Sequence, residues 1–171
     1  DNVTLSAMDV NGKMLVGQAL ASHSEHPLQR VWLVANEGCH PYDEALQAIR
    51  EADAIVLGPG SLFTSVIPNL LVPGLLDAIR ESKGKTIFPC NVSDADGETH
   101  GFSARDHVEA LLAHGMRGLL DYAVIHSATS LKPLSVVQKQ LDSLPPDAIR
   151  PVRASIEDVS WIQNQGIRVY V

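Results

Sequence analysis

The order of hydrophobic and polar residues divides the chain into a short antiparallel front and a longer remainder. Residues 4–8 alternate loosely, Asn11-Gly12 is a typical hairpin turn, and residues 14–21 are predicted to form the return strand. Residues 30–34 make a third candidate strand. The pattern therefore predicts a small N-terminal β-hairpin unit.

From residue 42 onward, apolar runs alternate with segments whose apolar residues recur at helical spacing. The run at 54–57 is wholly apolar, which is typical of a parallel strand buried on both faces. Ser103 is the predicted N-cap of a helix that ends near residue 114. Further strands are predicted at 86–88, 122–125, 149–153 and 167–171, and further helices at 42–52, at 70–80 with Pro73 in its first turn, at 136–141 and at 156–164. This alternation predicts a single α/β domain over residues 1–171, with a Rossmann-like, mostly parallel sheet and flanking helices.

Composition and charge narrow the possible partners. The chain is 45% hydrophobic and 19% charged, which is a globular balance. Its net charge is −7 and no Lys/Arg cluster is present, which argues against a nucleic acid or a membrane surface as partner. No apolar run reaches transmembrane length, and Cys39 and Cys90 lack metal-ligand spacing, so we predict a reduced, cytoplasmic protein without membrane insertion. Any bound anion must then be held mainly by backbone N–H groups and hydroxyls.

The segment GPGSLFTS at 58–65 directly follows a predicted parallel strand. Ligands of α/β sheets bind beyond the carboxyl ends of the strands. Gly58 and Gly60 allow a ligand close to the backbone, while Ser61, Thr64 and Ser65 add hydroxyl donors near the start of a possible helical turn. Composition alone is equally consistent with a phosphate site and with a plain turn.

A second segment, Asn91 to Thr99, follows the next predicted strand. The Asn91 amide can donate and accept, and Glu98 in the Gly97-Glu98-Thr99 turn could accept from a sugar hydroxyl or help to hold a metal. A solvated acidic loop is the simpler interpretation of this segment taken alone. Asp106-His107 could face a ligand, although a packed or surface histidine is more common. No catalytic residue and no metal-binding spacing is identified.

Three blocks carry a resemblance to a known family: GPGSLFTSVIPNLLVPG at 58–74, CNVSDADGET at 90–99 and ARDHVEALLAH at 104–114. In order and spacing they resemble the family that unites YvcK-type gluconeogenesis factors with CofD-type 2-phospho-L-lactate transferases. The first block resembles the YvcK branch, since the CofD branch has an Asn-Pro pair after the serine. The resemblance implies a Rossmann-like, non-enzymatic regulator that binds a nucleotide-sugar of the UDP-GlcNAc type and affects central carbon metabolism, cell-wall synthesis and cell shape.

The resemblance also implies a set of site residues. The phosphates would be bordered by Gly58, Pro59, Gly60, Ser61, Leu62, Thr64 and Ser65, and the neighbouring wall formed by Asn91, Gly97, Glu98 and Thr99. Asn69, Asp106 and His107 are further candidates, the last two in a DHV element of open role. No metal is implied for the regulator, whose partners would be the nucleotide-sugar and either another protein or a second copy of itself.

Two alternatives remain open. A CofD-like transferase would move a phospholactyl group from a guanosine diphosphate donor to a deazaflavin with magnesium, and Glu98 and Asp106 are the acidic residues in matching positions. A purely structural fragment is the other alternative, because the family opens with GGGxG and DDGG-type segments that do not occur here. We therefore expect an N-terminal strand-loop-helix part to be missing, leaving an open sheet edge. Ala95 also replaces a usual glutamine, which bears on ligand choice.

Overall fold

Two β-sheets organise the chain, which a computed structural model describes over residues 3–35, 38–95, 97–126, 132–144 and 150–171. The strands are β1 Val3–Asp9, β2 Met14–Val16, β3 Leu28–Ala35, β4 Ala54–Val56, β5 Lys85–Pro89, β6 Tyr122–Val124 and β7 Arg168–Tyr170. The helices are α1 Gln18–Ser22, α2 Asp43–Glu51, α3 Ile67–Leu70, α4 Leu75–Glu81, α5 Ala104–Leu111, α6 Leu134–Asp142 and α7 Ile156–Asn164. Two π-helical turns, Leu62–Val66 and Leu112–Met116, precede α3 and follow α5.

The first sheet is the predicted antiparallel unit, with strand order β2-β1-β3. Its hairpin turn is held by Asp9, whose Oδ1 accepts from the N–H groups of Asn11 and Lys13 at 2.9 Å each. The predicted return strand at 14–21 is wrong beyond Val16. Gln18–Ser22 instead forms α1, because the chain leaves the extended conformation at Gly17, which has a φ of +98°.

The second sheet has the order β4-β5-β6-β7, and all its strands are parallel, which confirms the Rossmann-like α/β prediction. The strands lie side by side in chain order. Right-handed crossovers between strands in that order place every connecting helix on the same face of the sheet. The side chains that point to this face are buried, with exposures of 6% for Leu57, 1% for Phe88 and 0% for Ala123.

On the opposite face of the parallel sheet, several apolar side chains are exposed among the residues that the structure describes. Val56 is 54% exposed, Val124 43% and Tyr170 57%. The prediction that the run at 54–57 is buried on both faces is therefore wrong. An apolar composition favours a doubly covered strand, but the strand order supplies helices to one face only.

Two other predicted elements are corrected, and one cap is confirmed. The helix predicted at 70–80 is two helices: α3 ends at Leu70, and α4 begins only after Gly74, which has φ of +80° and follows Pro73. No strand forms at 150–153, where Pro151 makes an isolated bridge to Ser93; residue 149 lies outside the described ranges. Ser103 is the N-cap of α5 as predicted, in a capping box with Asp106.

An aromatic cluster joins the two sheets. Phe63, in the π-helical turn after β4, is 1% exposed and meets the rings of Phe102 and His114 edge-on at 6.0 and 5.9 Å. His114 Nδ1–H donates to the Ala110 carbonyl at 2.7 Å, so its Nε2 accepts from the N–H of Val31 at 3.2 Å. This cluster therefore connects β3 and α5 to the loop that follows β4.

Within the described residues, no single helix is long and apolar enough to cross a membrane. Only the pair Leu62–Leu70 and Leu75–Glu81, which is bent by 69°, passes the length and composition test when taken together.

Candidate functional site

A groove of about 350 Å³ lies at the carboxyl ends of β4 and β5. The Asn91 side chain crosses it, since its Nδ2–H donates to the Gly60 carbonyl at 3.2 Å. The groove is lined by Val56, Leu57, Gly58, Pro59, Gly60, Pro89, Cys90, Asn91 and Val92. No lysine or arginine is among these residues, so polar contacts to a ligand would come from the backbone and the Asn91 amide.

The shape of the loop depends on Gly60. Its φ is +153°, and a Cβ added there would lie 2.8 Å from the Cβ of Ser65. The Gly58–Pro59 peptide bond is cis. The chain then turns directly into the helical segment, where the N–H groups of Ser65 and Val66 donate to the Ser61 carbonyl at 3.0 and 2.9 Å. Glycine at position 60 thus lets the loop fold back onto the turn that follows it.

A second hollow, also of about 350 Å³, adjoins the loop and shares Val56, Leu57, Gly58 and Pro59 with the groove. Ser65 and Asn69 line this hollow, and the Asn69 Nδ2–H donates to the Ser65 carbonyl at 2.8 Å. The remaining lining is mostly apolar and comes from α2, β4, the helical segment after the loop, and α4. The structure therefore places Ser65 and Asn69 apart from Asn91.

The Gly97-Glu98-Thr99 turn lines neither hollow. Thr99 is 2% exposed, and its Oγ1 accepts from the N–H of Ala95 at 2.8 Å. The Glu98 carbonyl accepts from the N–H of Leu28 at 2.9 Å, at the start of β3. A Cβ at Gly97 would lie 2.5 Å from the carbonyl oxygen of Ser24. The turn is therefore packed against the antiparallel unit, behind the loop and not beside its open groove.

The Glu98 carboxylate lies beside residues that directly follow the glycine loop. Its side chain is 1% exposed, beside the hydroxyls of Thr64 and Ser61 and the N–H of Phe63. Within the described residues neither carboxylate oxygen has a hydrogen-bond partner of normal geometry, so these neighbours act on the charge mainly through their dipoles. Burial raises the pKa of Glu98, and the Thr64, Ser61 and Phe63 groups only partly oppose that rise.

Asp106 and His107 are part of the framework of α5. Asp106 Oδ2 accepts from the Ser103 N–H at 2.7 Å and completes the capping box. His107 is fully buried, its Nδ1–H donates to the Ser103 carbonyl at 2.9 Å, and its ring meets Phe102 edge-on at 5.6 Å. Burial lowers the pKa of His107. Asp106 also lines a separate, shallow groove of about 460 Å³ beside Phe63.

Magnesium, which the transferase alternative requires, does not fit the two acidic residues nominated for it. Glu98 is enclosed, and Asp106 is engaged by the helix cap. In the described part of the chain, no group of three or more His, Cys, Asp or Glu side chains is placed to hold a metal ion.

Several groove residues were not nominated from the sequence. Pro89 and Val92 line it, as does Cys90, which is 7% exposed. Burial raises the pKa of Cys90 to about 12, so the sulfur is a neutral thiol near pH 7. Their position in the sequence could have identified them, because all three lie at or just after the end of β5.

Comparison with known proteins shows the family to which the chain is similar. The profile of the family described as 2-phospho-L-lactate transferase CofD matches residues 1–170. The chain is similar to a gluconeogenesis factor of Halalkalibacterium halodurans, with 41% identity over 116 residues that cover 68% of this chain and 36% of the relative. It is similar to the gluconeogenesis factor of Bacillus subtilis, with 34% identity over 168 residues that cover 98% of this chain and 50% of the relative.

A solved structure agrees with these sequence matches. A crystal structure of a Bacillus halodurans protein superposes with a TM-score of 0.81 at 32% identity, covering 98% of this chain and 51% of that protein. The chain thus spans about half the length of the relatives it matches over nearly its whole length. The family profile extends over residues 1–170, and the similarity to a gluconeogenesis factor covers 98% of this chain. This chain therefore belongs to the CofD family, within its gluconeogenesis-factor group.

Proposed function

We propose that this chain contributes one wall of a nucleotide-sugar site in a non-enzymatic regulator of the gluconeogenesis-factor type. The ligand class is a UDP-sugar such as UDP-GlcNAc, with the diphosphate held over Gly58–Gly60 and beside Asn91. Through a partner protein or a second copy of the chain, the regulator would affect central carbon metabolism, cell-wall synthesis and cell shape.

The observation that carries this proposal is the groove between the loops after β4 and β5. It lies beyond the carboxyl ends of parallel strands, where α/β sheets bind ligands. Its volume of about 350 Å³ is at the small end of ligand pockets, which suits part of a nucleotide-sugar with the rest contacted elsewhere. The backbone N–H groups of the glycine loop and the Asn91 amide favour binding of a phosphate, although none of the described residues that line the groove is basic.

Isothermal titration calorimetry with UDP-GlcNAc tests the proposal. Gly60→Ala is expected to weaken binding at least tenfold, because the new Cβ would contact the Ser65 side chain and displace the loop. Gly12→Ala is the matched control, since Gly12 also has positive φ but has nothing within 4 Å of an added Cβ. Equal losses in the two variants would contradict the placement of the site.

The Bacillus subtilis relative, of which this chain spans half, is titrated alongside. Stronger binding by the longer protein is expected, because the groove supplies one wall only. No heat from either protein with UDP-GlcNAc would reject nucleotide-sugar binding. Turnover of a deazaflavin with a phospholactyl guanosine diphosphate donor and magnesium would favour the transferase alternative instead.

A further inference from the structure

Glu98 is a buried carboxyl group whose described polar neighbours are neutral. Its side chain is 1% exposed, and within the described residues neither Oε atom has a hydrogen-bond partner of normal geometry, although three neutral donors lie beside it. Its nearest polar neighbours are the Thr64 and Ser61 hydroxyls and the Phe63 N–H, all of which are neutral. A charge buried in this way is costly, and it responds strongly to any further charge placed nearby.

The backbone around Glu98 keeps the side chain in place. Its own carbonyl accepts from the N–H of Leu28, and the preceding Gly97 lies against the backbone of Ser24 with no room for a Cβ. These contacts fix the backbone of the turn, and the Glu98 side chain within it is 1% exposed. When another negative charge is brought close, the Glu98 carboxylate is therefore expected to take up a proton and not to change its position.

The charged groups on the neighbouring elements have other partners or face solvent. Burial is the largest cause of the rise in the Glu98 pKa, and among the described residues the other causes are the neutral Thr64, Ser61 and Phe63 groups. Before β3, Glu25 pairs with Lys13 at 3.1 Å and His26 is exposed. Asp94 accepts from the Gly101 N–H at 2.8 Å. At the start of α5, Asp106 accepts from the Ser103 N–H at 2.7 Å, and His107 Nδ1–H donates to the Ser103 carbonyl at 2.9 Å.

The same turn separates Glu98 from the glycine loop. Ser61, whose hydroxyl lies beside the carboxylate, directly follows Gly60, whose carbonyl accepts from Asn91 in the groove. A phosphate held at the backbone of Gly58–Gly60 would lie within one or two residues of the hydroxyls that face Glu98. The two anions would then share the same small set of neutral dipoles, since the described residues that line the groove include no cation.

We propose that Glu98 is a proton-linked positioning residue, which takes up a proton when a phosphate-bearing ligand binds at Gly58–Gly60. The inference rests on the proposed function, because it needs an anion in that groove. A nearby phosphate disfavours the carboxylate and favours the neutral acid, which can in turn donate to a loop hydroxyl. Binding then consumes up to one proton, and the apparent affinity falls as pH rises, by at most tenfold per pH unit.

Calorimetry in buffers of different ionisation enthalpy measures this proton uptake. The wild-type chain is titrated with UDP-GlcNAc and with inorganic pyrophosphate from pH 5 to pH 9. A buffer-dependent heat that corresponds to uptake of part of one proton is expected for both probes. Glu98→Gln keeps the size of the side chain and is expected to bind without proton uptake, with an affinity that changes much less with pH.

Glu44→Gln is the matched control, since Glu44 is exposed on α2 and its substitution removes the same charge. It is expected to retain the wild-type proton uptake. Binding by the wild type without proton uptake at any pH, or unchanged uptake in Glu98→Gln, would overturn the inference and leave the proposed function standing. No heat from either probe, with the wild-type chain or with the Bacillus subtilis relative, would overturn both, because no anion would then reach the loop.

Discussion

The Gly97→Ala substitution tests how tightly the turn that carries Glu98 is packed against the antiparallel unit. An added Cβ would lie 2.5 Å from the Ser24 carbonyl oxygen, 3.1 Å from the Ser24 nitrogen and 3.2 Å from the Ser22 carbonyl oxygen. All three are backbone atoms, so no side-chain rotation can relieve the contact. The turn or the end of α1 must move instead.

Two costs add in this variant. Gly97 has φ of +91°, and alanine in a left-handed conformation costs about 1–2 kcal/mol. Forcing packed groups apart costs about 1–3 kcal/mol more. The expected loss is therefore about 2–5 kcal/mol, which at about 2–4 °C per kcal/mol for a chain of this size lowers Tm by about 4–20 °C.

Gly101→Ala separates the two costs. Gly101 has φ of +76° but nothing within 4 Å of an added Cβ, so only the conformational cost of about 1–2 kcal/mol applies. Urea unfolding followed by tryptophan fluorescence gives both free energies of unfolding. The packing argument is refuted if Gly97→Ala and Gly101→Ala lose the same amount.

The remaining predictions concern the helix caps and the acid sensitivity of the fold. Ser155→Ala is expected to lower the free energy of unfolding by about 1–2 kcal/mol, and Ser103→Ala by about 0.5–1 kcal/mol. Both serines cap a helix, but Ser155 is fully buried. A larger loss for Ser103→Ala in urea unfolding would contradict this order. Burial lowers the pKa of His114 from its ordinary value of 6.5, so below pH 6.5 the unfolded chain binds a proton that the folded chain resists, and stability is lost as pH falls. Protonation would also remove the acceptor for the Val31 N–H. His114→Gln should reduce this slope in unfolding measured from pH 5 to pH 8, and an unchanged slope would argue against it.

Local patterns predicted most of the elements. The hairpin turn at Asn11-Gly12, the cap at Ser103 and the apolar runs that became β4 to β6 all depend on residues within a few positions of one another. The return strand predicted at 14–21 failed because a short apolar run fits a helix as well as a strand. The helix predicted at 70–80 failed because Pro73-Gly74 breaks the pattern that continues on both sides.

The candidate site was predictable only in part. The glycine loop at 58–60 and Asn91 meet in one groove, as expected when adjacent parallel strands end at the same edge. The turn at 97–99 was predicted to form the neighbouring wall, yet it lies behind the loop with its carboxylate enclosed. Nothing in its composition distinguishes a solvated acidic turn from a buried one.

The sequence by itself determined the α/β alternation, the family and the positions of the glycines, because these follow from short-range patterns and motif spacing. Only the tertiary structure decided that Gly97 meets Ser24 and that Glu98 lies beside Ser61 and Thr64. It also decided that Val56 and Tyr170 are exposed on one face of the parallel sheet within the described residues. Burial depends on which distant segments pack together, and strand order decides which faces receive helices. Neither is encoded in the polarity of any single stretch of the chain.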